Sequence, residues 1–153
     1  MNKLSNEYWN EFWGEGKKPK NVSAWQFGGT PDYLAQLVID GIKTATCSAY
    51  DLYQLEGAPL PQVGEYSIVL NGKEEPACII QTTEVQIIPF NEVSEQFAFD
   101  EGEGDRSYTY WKDVHVDFFT DELNGTGNEF CEDMLVVCER FKLVHVKGGV
   151  ANV

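Results

Sequence analysis

The chain reads as an α+β protein, with several helices set around a mostly antiparallel sheet that closes toward a small barrel. Two observations carry this. The middle of the chain holds two runs rich in Val, Ile, Tyr and Thr, Glu65–Leu70 and Pro76–Ile88, with Asn71-Gly72 between them. The flanking segments carry apolar residues at helical spacing, bounded by capping residues and glycines. At 153 residues the chain is most simply one domain, residues 1–153, long enough to bury a core without disulfides or metals.

Leu4, Tyr8 and Phe12 recur at helical spacing beside Trp9 and Trp13, predicting an amphipathic helix over Ser5–Trp13. Gly14–Asn21, with its glycines, proline and lysines, reads as a surface connector. Thr30 suits a helix cap and Pro31 the first helical position. That helix runs to about Asp40, with Leu34, Leu37 and Val38 inward and Gly41 as its stop. Lys43–Ser48 predicts a short strand and Tyr50–Leu55 one or two helical turns. Asn71-Gly72 signals a tight hairpin, because both turn positions favour positive φ. Pro76–Ile88 is long for a flat strand and should bend. Asn91 is expected to cap a short helix ending near Phe99. Asp105 or Ser107 should cap a longer one ending near Leu123, with Tyr110, Val114 and Phe118 on one face. Asn124–Asn128 reads as a loop, and Met134–Val146 supplies at least one more strand.

Composition narrows the partners. Asp and Glu number 25 against 11 Lys and Arg, a formal net charge of −14. Polyanionic nucleic acids draw affinity from clustered cations, so a small, nearly neutral ligand suits this surface better. No apolar run approaches the roughly 18 residues of a membrane span. Met1–Trp13 lacks the apolar core of a secretion signal, so a cytoplasmic setting is expected. Cys47, Cys78, Cys131 and Cys138 form no C-x-x-C pair, and His115 and His145 complete no zinc pattern. All four cysteines read as buried small hydrophobes, with no metal or cofactor. Nothing in the chain specifies an oligomeric state.

Two stretches carry chemistry. Lys43 stands between Ile42 and Ala45 with hydroxyls at Thr44 and Thr46, away from any basic face. Glu101-Gly102-Glu103-Gly104-Asp105-Arg106 combines carboxylates with one of two arginines. A lysine–hydroxyl cluster and a carboxylate cluster are the raw material of acid–base or nucleophilic chemistry. Each also has a structural reading. Lys43 alone would be a snorkelling surface lysine, and the Glu101–Asp105 run a solvated loop ahead of a capped helix.

Several ordered motifs give the chain a resemblance. They are Trp25-x-Phe27-Gly28, Gly41-x-Lys43-x-x-Thr46, Pro61-x-Val63-Gly64-Glu65 and Pro89-Phe90-x-x-Val93, then Ala98-x-x-Glu101-Gly102-Glu103-Gly104-Asp105 and Tyr110-Trp111. Together they resemble the ASCH domain of the PUA-like superfamily of small β-barrels, in its larger bacterial subgroup marked by the Glu-Gly-Glu-Gly-Asp run. The match spans about Ala24 to Phe119, with a core of about residues 24–146 and an N-terminal helical extension. The resemblance implies a cleft into which the Gly-x-Lys-x-x-Thr segment points. The superfamily is associated with RNA binding and modified-base recognition. Some compact members are amidohydrolases that remove the acetyl group of N(4)-acetylcytidine with a Lys, a Thr and a Glu. Here those positions are Lys43, Thr46 and Glu101. The compact enzymes carry an Arg just after Thr-x-Thr, where this chain has Cys47, and Arg106 is the candidate to supply that charge.

Hydrolysis of an N-acyl cytosine needs a nucleophile, a base and an acid for the departing nitrogen. Thr46 offers a hydroxyl nucleophile or positions water. Lys43 serves as base only if burial lowers its pKa by roughly 3 units, about 4 kcal/mol of differential solvation. If it stays charged it stabilises the oxyanion instead. Glu101 protonates the leaving nitrogen or accepts from the cytosine amino group, yet its charge opposes deprotonation of Lys43, which leaves the base open. Trp25 or Phe27 suits a base-stacking wall. His115, Trp111 and Tyr110 read as core and Glu103 as solvated. The expected partner is a nucleoside-like small molecule; RNA, bound or cleaved in the same cleft, is the alternative.

Overall fold

The computed structural model describes residues 1–148; positions 149–153 of the expected domain lie outside the described residues. The elements are α1 (Lys3–Trp13), β1 (Val22–Gln26), α2 (Pro31–Ile39), β2 (Ala45–Ala49), α3 (Tyr50–Glu56), β3 (Tyr66–Leu70) and β4 (Pro76–Pro89), then a 3-10 turn at Phe90–Glu92, α4 (Glu95–Glu101), α5 (Tyr108–Leu123) and β5 (Leu135–Val146). The five strands form one sheet in the order β1-β3-β4-β5-β2. Only the β1–β3 pair is parallel. The sheet curls into a half-barrel, giving the α+β, mostly antiparallel, barrel-like architecture expected.

The curl begins in β4. Its first half, Pro76–Gln81, pairs with β3, while Cys78–Pro89 pairs with β5. The β4–β5 register slips between Ile79 and Ile80 and again between Thr82 and Glu84, and such bulges bend a strand and raise its twist. The long strand bends as its length predicts.

Strand alternation distributes the core. Ile68, Leu70 and Ile79 meet Tyr8 and Trp9 of α1, whereas Val69, Cys78 and Ile80 meet Leu34, Leu37 and Val38 of α2. A third cluster joins Ala45, Cys47 and Ala49 of β2 and Val136 and Cys138 of β5 to Phe97, Trp111 and Phe119 on α4 and α5. Cys131 is exposed, so only three of the four cysteines are buried. Among the described residues, no helix is long and apolar enough to cross a membrane.

Several local expectations need correction. The β3–β4 connection is not a two-residue Asn-Gly turn. Asn71 N–H donates to the Glu75 carbonyl at 2.8 Å, and its side-chain oxygen accepts from Lys73 and Glu75 N–H at 2.9 and 3.0 Å. That Asx arrangement closes a longer loop in which Glu74, not Asn71 or Gly72, takes the positive φ. Thr30 precedes α2, but its side chain makes no capping bond, and Pro31 supplies the start. Ser94, rather than Asn91, caps α4, because Asn91 is held in the 3-10 turn. Ser107 caps α5, its hydroxyl accepting from Tyr110 N–H. On α5 the core stripe is Trp111, His115, Phe119 and Leu123. Tyr110, Val114 and Phe118 do share a face, and it turns to a cavity.

Candidate active site

That cavity measures about 910 Å³ and lies between β1, the turn after it, β2, α3 and α5. Its volume falls in the range of small-molecule sites. Trp25, Phe27, Tyr33, Tyr53, Tyr110 and Phe118 give it aromatic walls. Lys43, Thr46 and Glu101 all line it.

The two motif stretches meet because the backbone lets them approach. Gly102 has φ 78°, and a Cβ there would come within 2.7 Å of the Ile42 carbonyl oxygen. Gly104 likewise leaves room for the Tyr110 ring. Thr44 N–H donates to the Asp100 carbonyl at 2.8 Å, pinning the start of β2 to the end of α4. Arg106 completes the clasp. Its guanidinium donates to the Phe99 carbonyl at 3.1 Å and the Ile42 carbonyl at 3.4 Å and stacks over the Phe99 ring. It therefore holds the two stretches together and does not line the cavity, which corrects its expected place against substrate.

Lys43 is only 2% exposed and Glu101 1%. The Lys43 Nζ lies 3.1 Å from Glu101 Oε1, 3.2 Å from Glu103 Oε2 and 3.4 Å from the Glu101 carbonyl. An ammonium has three protons to donate, and all three find acceptors. The second Glu101 oxygen accepts from Trp111 Nε1 at 2.5 Å and lies 3.3 Å from His115 Nε2. His115 Nδ1 sits 2.8 Å from the Trp111 carbonyl, and its ring stacks on Trp111. Glu103 and His115, read from sequence as solvated loop and core, are thus members of the site. Trp111 is core as expected, but its indole N–H also binds Glu101. No local motif announces His115; its spacing of four from Trp111 on α5 was the available signal.

Burial by itself would lower the Lys43 pKa, but Glu101 and Glu103 outweigh it and the net shift is upward. The raised pKa and the three acceptors around Nζ favour the ammonium form of Lys43, which opposes the neutral-base role. Burial would raise the Glu101 pKa, but Lys43, His115 and the indole N–H hold it well below the usual carboxylate range. Burial would lower His115, and Glu101 reverses that, raising it. The result is a buried quartet in which Lys43 and His115 meet the carboxyl groups of Glu101 and Glu103. Glu101, Glu103 and His115 could by composition gather around a metal ion, but the Lys43 ammonium already occupies the cation position.

Thr46 sits on the strand face opposite the buried Ala45 and Cys47. Its hydroxyl has no protein hydrogen-bond partner among the described residues and faces the cavity unencumbered. Trp25 and Phe27 meet edge to face at 4.8 Å, and Lys43 Nζ lies 5.2 Å from the Phe27 ring centre.

The linked titrations make a stability prediction. A raised His115 contributes stability that is complete below its unfolded value of about 6.5 and is lost as pH climbs through the folded value. A depressed Glu101 contributes stability present above about 4.3 and lost as pH falls through its folded value. Urea midpoints of the wild type should decline above about pH 6.5, and His115→Gln should flatten that decline. Parallel slopes in the two proteins would remove the His115–Glu101 linkage.

The ASCH domain family matches residues 23–145. The structure resembles that of an ASCH domain from Lactobacillus crispatus JV V101, at 37% identity and TM-score 0.87, covering 95% of this chain and 96% of that one. It also resembles protein EF3133 from Enterococcus faecalis V583, at 38% identity and TM-score 0.77, covering 94% and 86%. Protein PH0355, at 16% identity and TM-score 0.53 over 80% and 97%, shares the fold. Among curated proteins, none matches the chain. With a family match over most of its length and close relatives in two bacterial structures, this chain belongs to the ASCH domain family.

Proposed function

We propose that this protein is a cytoplasmic, metal-independent amidohydrolase that removes an acyl group from a cytidine-type nucleoside or a similar small amide. We place it in the subgroup marked by the Glu101–Asp105 run. The carrying observation is a buried lysine, held by two carboxylates, in the wall of an aromatic cavity that also presents a free threonine hydroxyl. In this reading Trp25 and Phe27 form the wall against which the base stacks. Thr46 aligns the attacking water. The acyl oxygen takes the place of Glu103, the more exposed carboxylate partner of Lys43, so that charge developing on that oxygen meets the ammonium. Glu101 keeps Lys43 charged and oriented.

The cavity's own charge argues against RNA. Glu65, Glu101, Glu103, Glu122 and Glu139 line it, against Lys20 and Lys43 as its lysines. A phosphodiester chain would meet net repulsion there, whereas an uncharged nucleoside would not.

Incubation with N(4)-acetylcytidine should release cytidine and acetate. Thr46→Ala, which breaks no hydrogen bond, should keep the fold and lower kcat by about 10-fold or more. Loss of the charge in Lys43→Met should lower it by about 10²- to 10³-fold. Equal release by wild type and both variants, or RNA binding that weakens steeply with salt in place of turnover, would reject the reading.

A further inference from the structure

In the free protein the members of the buried quartet are engaged with one another. Lys43 favours its ammonium form, and Glu101 is ionised with both oxygens engaged. His115 has one ring nitrogen on the Trp111 carbonyl and the other near Glu101. Glu103 is tied to Lys43 in the free protein, and in the reading above it yields that place to the acyl oxygen. A carboxylate facing Thr46, where the water is aligned, is better placed to handle the proton.

β2 and β5 pair antiparallel, and Thr46 lies directly opposite Glu139. Side chains of facing residues project to the same side of the sheet with Cβ atoms about 4.5–5.5 Å apart. Both residues line the cavity. The alternation that sends Val136 and Cys138 into the core under α4 and α5 turns Glu139 the other way. Its neighbour Arg140 is spent elsewhere, on Asp100 and Glu84. Glu139 enters no ion pair among the described residues.

Accepting the amidohydrolase reading, we propose that Glu139 is its acid–base residue, taking a proton from the water aligned by Thr46 and delivering it to the departing nitrogen. The step balances without a co-reactant. Ionised Glu139 accepts one proton of water as the water oxygen bonds to the acyl carbon, and the carbonyl π pair moves onto the acyl oxygen beside Lys43. Collapse of that intermediate breaks the C–N bond. The proton on Glu139 passes to the nitrogen, giving the free amine and a carboxylic acid, and Glu139 returns to its ionised form.

The surroundings fit the task. Burial first, and the Glu65 carboxylate second, raise the Glu139 pKa to about 7, while the Thr82 hydroxyl opposes them. A group poised near the working pH both accepts and returns a proton. The other groups facing it are Glu65, itself raised by burial, and Tyr53 of α3, whose hydroxyl is shared with Ser48 at 2.7 Å. Glu65 and Glu122 also line the cavity, but neither stands opposite Thr46 in the strand register.

Steady-state kinetics on N(4)-acetylcytidine, run between about pH 5 and pH 9, test this. Glu139→Gln should lower kcat by about 10²-fold or more with little change in KM, and should lose the acidic limb of the rate profile. Glu65→Gln removes a neighbouring negative charge, so the limb should move to lower pH, a shift that a merely structural role would not produce. If Glu139→Gln fails to fold, the Glu65→Gln shift alone decides. Turnover within about threefold of wild type in Glu139→Gln, with its limb intact, or an unmoved limb in Glu65→Gln, overturns the proposal while sparing the hydrolase reading. Absence of turnover by the wild type overturns both together.

Discussion

Lys43→Met should destabilise the protein by about 3 kcal/mol, because it strips a buried carboxylate of its main cation. Methionine approximates the length of the lysine stem, so packing against Phe27 survives and the loss reports the charge. Removing one partner of a buried ion pair typically costs about 3–5 kcal/mol. His115, 3.3 Å from the other Glu101 oxygen, remains to compensate, which puts the expected value at the lower end. Pairing the change with Glu101→Gln should recover much of the loss, since two neutral groups carry no uncompensated charge. The double-mutant coupling should fall in the range of about 0.5–3 kcal/mol found for residues in contact. Urea denaturation of the four proteins at neutral pH measures this. Strict additivity would show that Lys43 and Glu101 do not depend on each other for their charge.

Trp111→Ala should be at least as costly, about 3–5 kcal/mol. The indole is 2% exposed and is stacked between Phe90, at 5.2 Å, and His115, at 4.4 Å. Truncation therefore opens a cavity in the cluster that joins β2 and β5 to α4 and α5. It also removes the N–H that Glu101 Oε2 accepts at 2.5 Å. Trp111→Phe separates the two effects: it keeps much of the stack but deletes the donor, and should cost about 1.5–3 kcal/mol, the range for hydrogen bonds to charged groups. If the Phe variant matched wild type in thermal and urea unfolding, the indole would act through packing alone. The ordering Ala, then Phe, then wild type supports both roles.

Elements with a local cause were the legible ones. α1, α2, α3 and α5 announce themselves through apolar spacing and stops such as Gly41 and Gly57, both at positive φ. β3 and β4 show in their β-branched runs. β1 went unread because Val22–Gln26 is short and its partner, β3, is more than forty residues away in a parallel pairing. No turn marks such a strand in the sequence. The form of the Asn71 loop is not legible in the sequence, because it depends on what the Asn71 side chain bonds, a choice the dipeptide leaves open.

The site divides the same way. Ordered motifs named Lys43, Thr46 and Glu101, and the structure lines one cavity with all three. The sequence left Arg106 and Glu103 misassigned and His115, buried as a core histidine should be, without its Glu101 partner, because each role depends on what the fold brings near it. Glu139 carried one faint signal, a carboxylate on the same strand parity as the buried Val137 and Phe141.

Composition, periodicity and motif order by themselves determined the α+β class, most helix positions, the acidic character that disfavours polyanions, and the identity of the lysine and glutamate that pair. The tertiary structure alone decided that the lysine favours its ammonium form, that a histidine and a second glutamate complete the network, and that Glu139 faces Thr46. The reason is physical. Helix and turn preferences act over a few neighbouring residues, whereas a protonation state is set by burial and by charges within a few ångströms, which here come from residues 58 and 60 positions away.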